Sequence, residues 1–505
     1  MNRQDELESN LLTQLRLGLI SRRQFLTQMI AAGLAVGGAS ALAACAPSAT
    51  PAPATAVPKA TEAAKATEAA KATEAVKATE AAKATEAAAG ARPLTPTFYQ
   101  WIIDLHPGIK DDIVPNFPGG VNFQIAPVEG FDVARFVAEA KTGVSTWDVY
   151  VGMTPFVEMS SLIKAGVIEP WDPYIPKADL DDLLPTIRNE CTVDGKLYSW
   201  PFLCDIIGQA YNSTLTTKAG IADKAPADWD EYLANSKIVV DKGAAPYGCT
   251  FDSNGWRCLA PVTHSISTKC YYMLEGDKSG FPLFDFTSEP ALQALEILKK
   301  MLDLSSANAL QPGTTDGGVN QTPDEVAFVA QKVAYMIKYQ NAPLRMAAQW
   351  PDPLALRLAP LPKAKGGEGA TVYWTTGACL FKHGQNKEKA GEFLHTLTHS
   401  DRIWKDSISG SPSGHPGHLP CFQSIYDTWK KSQPDWLVKQ PWVWSVLEQM
   451  KVAKAIPNHA YGLSQFQIGK PYWEAYFKGE EKDPKKAMQA AKDAVVAEMK
   501  KLGDL

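Results

Sequence analysis

Past Pro96 the chain alternates short apolar runs with stretches whose apolar positions recur at helical spacing. Phe98–Ile103, Val121–Pro127 and Asp148–Met153 are apolar runs of strand length bounded by polar or turn residues. Between them, Phe131–Lys141 and Phe156–Ala165 repeat apolar residues every three or four positions, which predicts helices. Further helices are predicted at Glu289–Leu304, Lys387–Thr398 and Pro484–Lys501, the last two charged on one side. Strand and helix in turn imply an α/β fold with a parallel sheet covered on both faces.

The first ninety residues carry a different pattern. From Lys59 to Ala88 the chain repeats Lys-Ala-Thr-Glu-Ala-Ala, with Val76 the only substitution. Alanine and i,i+3 Glu/Lys pairs such as Glu62/Lys65 favour helix. A period of six advances about 240° per repeat on a 3.6-residue helix, so the charges spiral over every face and no apolar stripe forms. A solvated, partly helical stalk is expected, reaching about 45 Å if fully helical. Pro47, Pro51, Pro53 and Pro58 keep the preceding segment extended.

Ahead of the stalk, Ser21-Arg22-Arg23-Gln24-Phe25-Leu26 precedes a short, weakly apolar stretch that ends Leu42-Ala43-Ala44-Cys45. A basic n-region followed by a short apolar h-region is the pattern of an export signal. The 16 residues from Met29 to Ala44, diluted by Gly33, Gly37 and Gly38, fall short of the roughly 20 that a spanning helix needs. The small residues before Cys45 resemble a bacterial lipobox, which implies cleavage there and acylation of Cys45. Arg22-Arg23 resemble the signal of the pathway that exports folded proteins. The expected location is therefore the outer face of the cell membrane, in the periplasm or at the cell surface, held by lipid. Residues 1–44 would be the signal and 45–93 the lipid-anchored spacer.

Composition narrows the remainder. The roughly 410 residues past the spacer suffice for two cores rather than one. A net charge of -5 with mixed signs argues against a nucleic-acid surface. Seven cysteines follow Cys45, none in a CxxC pair or a zinc spacing. Cys249 and Cys258 flank a turn-rich loop and are the first candidates for a disulfide; the alternative is that all seven are small buried side chains.

The segment 194–221 runs Asp194-Gly195-Lys196-Leu197-Tyr198-Ser199-Trp200-Pro201-Phe202, then Ala210-Tyr211-Asn212, then Lys218-Ala219-Gly220-Ile221. That order resembles the extracellular solute-binding proteins of carbohydrate-type ABC importers. Asp228-Trp229-Asp230-Glu231 resembles the family's Thr-Trp-Asp-Glu helix start, with aspartate in place of threonine. Phe328–Met336 resembles its Phe-x-x-Gly-Lys-x-Ala-Met pattern, with Gln331 in place of glycine. Ala359-Pro360-Leu361-Pro362 before Gly366-Gly367, Ile456-Pro457-Asn458, and the tail from Tyr476 also fall in the family's order. The resemblance spans about 97 to 505. It implies a two-lobed, type II periplasmic-binding-protein-like α/β fold with a ligand cleft between lobes. Lobe one would be 94–210 with 374–412, and lobe two 211–373 with 413–505.

Sugars present hydroxyls around the ring and patches of C–H on its faces, so aromatic side chains and carboxylates or amides are the groups to find at the cleft. At strand ends facing it the candidates are Trp101, Asp104 and Thr154, the last in the Gly152–Phe156 turn. In the crossing segment Asp205 precedes Tyr211 by six residues, where a maltose-binding relative is expected to place a carboxylate on its sugar. Trp256, Tyr339 and Gln340 are the lobe-two candidates, and Tyr373, Trp374 and Thr375 sit at the second crossing. Tyr461 and Gln467 complete the set, whereas Trp442 and Trp444 read as helix packing.

No nucleophile-elbow, zinc-protease or P-loop pattern appears, so no catalytic residues are expected. His395 and His399 are four apart on a predicted helix, but with no second pair evident they read as a solvated face; His415 and His418 lie in a Gly/Pro loop. No metal or other cofactor is expected. The expected function is capture of a sugar, oligosaccharide or polyol and delivery to ABC permease subunits, by a monomer with no nucleic-acid partner. A ligand sensor of the same fold, or an exported glycosidase using Asp104 and Asp205, are the alternatives.

Overall fold

Two long strands in the middle of the chain set the architecture. The structure, a computed structural model, describes residues 92–128, 133–311, 314–316, 319–410 and 415–505. Its main strands are β1 (Pro96–Phe98), β2 (Gln124–Ile125), β3 (Val149–Met153), β4 (Trp200–Asn212), β5 (Tyr247–Phe251), β6 (Val333–Tyr339), β7 (Leu356–Ala359) and β8 (Val372–Phe381). They join one sheet in the order β2-β1-β3-β8-β4-β6-β5, with β7 also paired to β4.

β4 serves two neighbourhoods along its 13 residues. Its first half pairs antiparallel with β8, placing Trp374 opposite Asp205 and Tyr373 opposite Ile206. Its second half pairs antiparallel with β6, Tyr211 opposite Tyr335, and with β7, Gln209 opposite Ala359. β1 runs parallel to β2 and β3, and β5 parallel to β6, each through the helical crossovers that parallel pairs require. At Gly208 a Cβ would stand 2.7 Å from the carbonyl oxygen of Ala359, so only glycine lets β7 approach there.

The buried apolar residues divide along these strands. One core gathers Ile207, Phe251, Leu295, Tyr335, Trp473 and Met488. Another gathers Phe98, Trp171, Trp200, Ile206, Phe393 and Trp404. A smaller third cluster sets Trp147 and Phe381 edge to face with Phe136 and tilts Tyr150 against it. Adjacent residues of β4 and β8 thus enter different cores: Ile206 and Tyr373 the second, Ile207 and Trp374 the first.

Four expectations change. The sheet is not parallel throughout: β8 runs antiparallel to β3 and β4, and β4 antiparallel to β6 and β7. Phe98–Ile103 is not one strand: β1 ends at Phe98 and a helix runs Gln100–Leu105, burying Ile102 and Ile103. A short apolar run fits either a buried strand or a buried helix, and the Gln100–Asp104 hydrogen bond of 2.7 Å spans one helical turn. Residues 413–505 do not all pack with lobe two. Cys421, Trp429, Trp442 and Ala453 join Phe98 in the second core, and Ile456, Phe466 and Met499 join the first. A third passage therefore falls at Lys454–Ala455, which pairs in parallel with Val372 and Tyr373. Finally, Cys249 and Cys258 are both free and buried; the Cys249 thiol donates to the carbonyl of Met301 at 3.5 Å instead. The helices Lys387–Thr398 and Pro484–Leu502 match expectation closely. The export signal, Cys45 and the stalk lie outside the described residues.

Candidate functional site

Strand alternation decides what β8 can offer, because successive side chains leave opposite faces. Trp374 enters the first core, 6% exposed, while Tyr373 and Thr375 turn the other way. The Trp374 ring meets Trp256 with centroids 4.9 Å apart and Tyr339 at 5.4 Å, both edge to face. Phe156 lies 5.4 Å from Trp256. The Arg257 guanidinium carbon sits 4.2 Å from the Trp256 ring centre and 4.9 Å from that of Tyr339. Edge-to-face rings and a cation over their faces are the favoured arrangements for these groups.

Buried charge fixes this cluster from behind. Arg257 donates to Asp252 at 2.9 Å, and the fully buried Lys338 reaches Asp252 and Asp324 at 2.8 Å and Glu325 at 3.1 Å. Burial pushes Asp252 up, yet Lys338 and Arg257 outweigh it and hold the carboxyl well below its ordinary range. Burial alone would lower Lys338; the three carboxylates overcome it and keep the ammonium charged. Lys338 precedes Tyr339 on β6, so the network anchors the ring's backbone directly. In the loop before Trp256, a Cβ on Gly255 would stand 2.8 Å from the Trp473 ring and 2.9 Å from Phe466.

A polar group lies across the strand pair. Asp205, opposite Trp374, accepts hydrogen bonds from Asn341 Nδ2 at 2.7 Å and Gln340 Nε2 at 3.1 Å, with His418 Nε2 at 3.7 Å. The Gln340 amide also donates to the carbonyls of Cys204 and Gly417, and its oxygen accepts from the backbone of Ile206. His418 Nδ1 is 2.9 Å from His106 Nε2, and Trp101 leans on the His418 ring at 5.7 Å. Burial raises the Asp205 carboxyl to about 7, moderated by Asn341, Arg257 and Arg345. Burial likewise lowers His106 to about 3 and His418 well below its usual value, so both imidazoles are neutral near pH 7. Flat apolar faces thus adjoin amides, imidazole and a carboxyl, the combination that covers a sugar's C–H patches and meets its hydroxyls.

The structure brings Trp101, Asp205, Trp256, Tyr339, Gln340 and Trp374 into this connected group. The other candidates go elsewhere. Asp104 is exposed and accepts from Gln100, while the backbone N–H of Thr154 donates to Glu158 at 2.7 Å. Tyr373 donates to the carbonyl of Thr186 at 2.7 Å, and Thr375 donates through its backbone and its hydroxyl to Glu190. The Tyr461 hydroxyl donates to Asp504 at 2.8 Å, and Gln467 lies on the helix Ser464–Phe477. Trp442 packs in the second core. Arg257, Asn341 and His106 were not among the candidates; only the neighbours Trp256 and Gln340 pointed toward the first two.

A cavity of about 980 Å³ opens elsewhere, lined by Leu344, Leu354, Leu356, Leu358, Arg357 and Trp442 among others. It contains none of Trp256, Tyr339 and Trp374, and its largely apolar lining lacks the carboxyl and amides that surround Asp205. Among the described residues, Asp179, His395 and His399 are the one group placed to hold a metal ion. No helix of the described residues is long and apolar enough to cross a membrane.

The three passages between cores, with aromatic and polar groups meeting at two of them, define a two-lobed ligand-binding protein of the type II periplasmic-binding kind. The chain belongs to the bacterial extracellular solute-binding protein family, whose profile matches residues 94–401. Solved structures with this fold include the GacH receptor of Streptomyces glaucescens, determined unliganded and with acarbose. It is 18% identical, covers 80% of this chain and 98% of that one, and has a TM-score of 0.63. The cyclic α-maltosyl-1,6-maltose binding protein of Arthrobacter globiformis is 21% identical over 81% and 99%, with a TM-score of 0.60. An ABC transporter solute-binding protein of Thermotoga lettingae, bound with α-D-tagatose, is 19% identical over 80% and 98%, with a TM-score of 0.62.

Proposed function

We propose that the chain captures a sugar, an oligosaccharide or a polyol against Trp256, Tyr339 and Trp374, and delivers it to the membrane subunits of an ABC importer. The observation that carries this reading is the edge-to-face triad of rings beside the buried Asp205, Gln340 and Asn341. The carbohydrate ligands of the similar proteins point the same way. Trp256, Tyr339 and Trp374 are each 8% exposed or less, so ligand enters when the lobes part by bending β4 and β8 near Ile206–Ile207 and Tyr373–Trp374. Captured ligand then favours the closed form in proportion to its extra contacts there. Binding and release, not bond cleavage, is the proposed activity, by a monomer exported through Arg22-Arg23 and tethered through an acylated Cys45.

A thermal-shift screen of the full chain with maltose, acarbose, tagatose, sorbitol and a glycerophosphodiester tests the ligand class. A ligand at 100 times its Kd stabilises by about 2.7 kcal/mol, a readily measured rise. Stabilisation by one of the carbohydrates is expected; none from any of them would overturn the carbohydrate reading. Secretion that survives replacing Arg22 and Arg23 with lysine would rule out the folded-export route.

A further inference from the structure

We propose that Asp179, His395 and His399 form a site for a divalent transition ion such as Zn2+, pinning the helix Lys387–Thr398 to the helix Lys177–Asp182. His395 lies in the last turn of the helix Lys387–Thr398 and His399 caps its C-terminus four residues on, so the two imidazoles stack with ring centres 4.4 Å apart and planes 27° apart. Spacing alone supplies two donors. The fold supplies the third: Asp179, 216 residues distant, sets Oδ2 2.6 Å from His395 Nδ1. One donor atom from each of the three lies within 4.8 Å of the others.

The surroundings suit a metal better than a solvated surface. The Asp179 side chain is 9% exposed and that of His395 49% exposed, so a fixed carboxylate backs an imidazole that an ion can reach. His399 Nδ1 lies 3.0 Å from the carbonyl oxygen of His395. A carbonyl only accepts, so Nδ1 carries the proton and Nε2 keeps its lone pair for a ligand. A second ring nitrogen tied to a backbone carbonyl is the usual outer support of a metal-bound histidine. Donors bound at about 2.0–2.2 Å around a tetrahedral ion stand about 3.3 Å apart. The ion takes the place of the hydrogen between His395 Nδ1 and Asp179, which part by less than an ångström; the stacked His399 ring turns to bring its in-plane Nε2 lone pair onto the ion, and water completes the shell. Asp182, one turn from Asp179, accepts from Ser424 at 2.9 Å and is already engaged. Two imidazoles and one carboxylate select zinc, nickel or copper over the oxygen-seeking calcium and magnesium. None of the three residues belongs to the group around Asp205 and Trp374, so the site is independent of the ligand reading.

The test uses the full chain without a histidine tag, stripped with chelator. ZnCl2 is titrated by calorimetry and its effect on the melting midpoint compared with CaCl2 and MgCl2. One equivalent of zinc with a midpoint rise of a few degrees is expected, with no comparable effect of calcium or magnesium. His399→Ala should weaken zinc binding at least about tenfold. It keeps the His395–Asp179 pair, so its metal-free circular dichroism should match the parent and separate loss of the ion from loss of the fold. His395→Ala should abolish the stoichiometric step. Zinc binding of unchanged affinity in both variants, absence of a stoichiometric step in the parent, or equal stabilisation by calcium would each overturn the proposal.

Discussion

Replacing Trp374 with alanine tests both what the aromatic triad holds together and what it binds. The indole is 6% exposed and wedged between Trp256 and Tyr339. Its removal withdraws roughly 150 Å² of buried apolar surface. At about 25 cal/mol per Å² that amounts to about 4 kcal/mol of stability, within the range for tryptophan truncations in cores. The same face is the proposed platform for a sugar ring, whose lost stacking should weaken binding by about 1–3 kcal/mol, or roughly 5- to 150-fold in Kd. Two assays separate these effects: urea unfolding of the unliganded protein, and calorimetric titration with whichever carbohydrate stabilises the parent best. Trp374→Phe keeps a ring on the same face of β8 and should recover most of the affinity. A variant that loses stability yet binds sugar with unchanged Kd would refute the binding role and leave Trp374 a core residue.

Three other outcomes follow from the buried charges and close contacts. Burial raises Glu158 and Glu190 to about 8 and Asp205 to about 7, so the folded state holds protons that the unfolded chain has released. Each such contribution is fully present below the unfolded carboxyl pKa and is lost as pH rises through the folded value. The buried neutral His106 and His418 act oppositely, losing stability as pH falls below 6.5, so the two sets offset between about 4 and 6.5. From pH 6.5 to 8 the acids act alone, and stability should fall by about 2 kcal/mol for each glutamate; Glu190→Gln should flatten that slope measurably, and an unchanged slope would contradict the account. Lys338→Met leaves Asp324 and Glu325 without their buried cation and Asp252 with Arg257 alone, and should cost about 3–5 kcal/mol by urea unfolding; a loss under about 1 kcal/mol would show that the network does not hold β6. Gly255→Ala forces a methyl against Trp473 and should cost about 1–3 kcal/mol while shifting Trp256 fluorescence, and a spectrum like the parent's would mean the loop absorbs the methyl elsewhere.

Long periodic segments were legible in the chain itself: the helices Lys387–Thr398 and Pro484–Leu502 come from patterns that only one element satisfies. Short apolar runs were not, which is why Phe98–Ile103 read as strand when most of it is helix. Motif order placed Trp374 at the second crossing and Trp256 and Tyr339 in lobe two, and the structure brings the rings of Trp256 and Tyr339 against Trp374. Tyr373 and Thr375 were carried along with Trp374 although strand alternation turns them to the opposite face. His106 and His418, 312 residues apart, meet only in three dimensions, and nothing in the local pattern of either announces the other. The metal triad divides the same way: the His395/His399 spacing is visible in sequence, but Asp179 is not.

The sharing of β4 and β8 between two cores has a consequence for how this chain is born. The second core needs both Leu94 and Ala453, and the first needs both Phe156 and Met499. Neither can close on the nascent segment alone, so folding one lobe at a time during synthesis is unavailable. At about 5–20 residues per second, on the order of 20 to 80 s separate the emergence of Leu94 from that of Met499. Within that interval β1 and β3 wait without β8 until Phe381 is made, and β4 waits without β6 until Tyr339 is made. The pairing of Trp374 with Asp205 across 169 residues is then a late, non-local event of the kind that slows folding. A cell making this protein must keep an apolar chain unaggregated for nearly the whole of its translation.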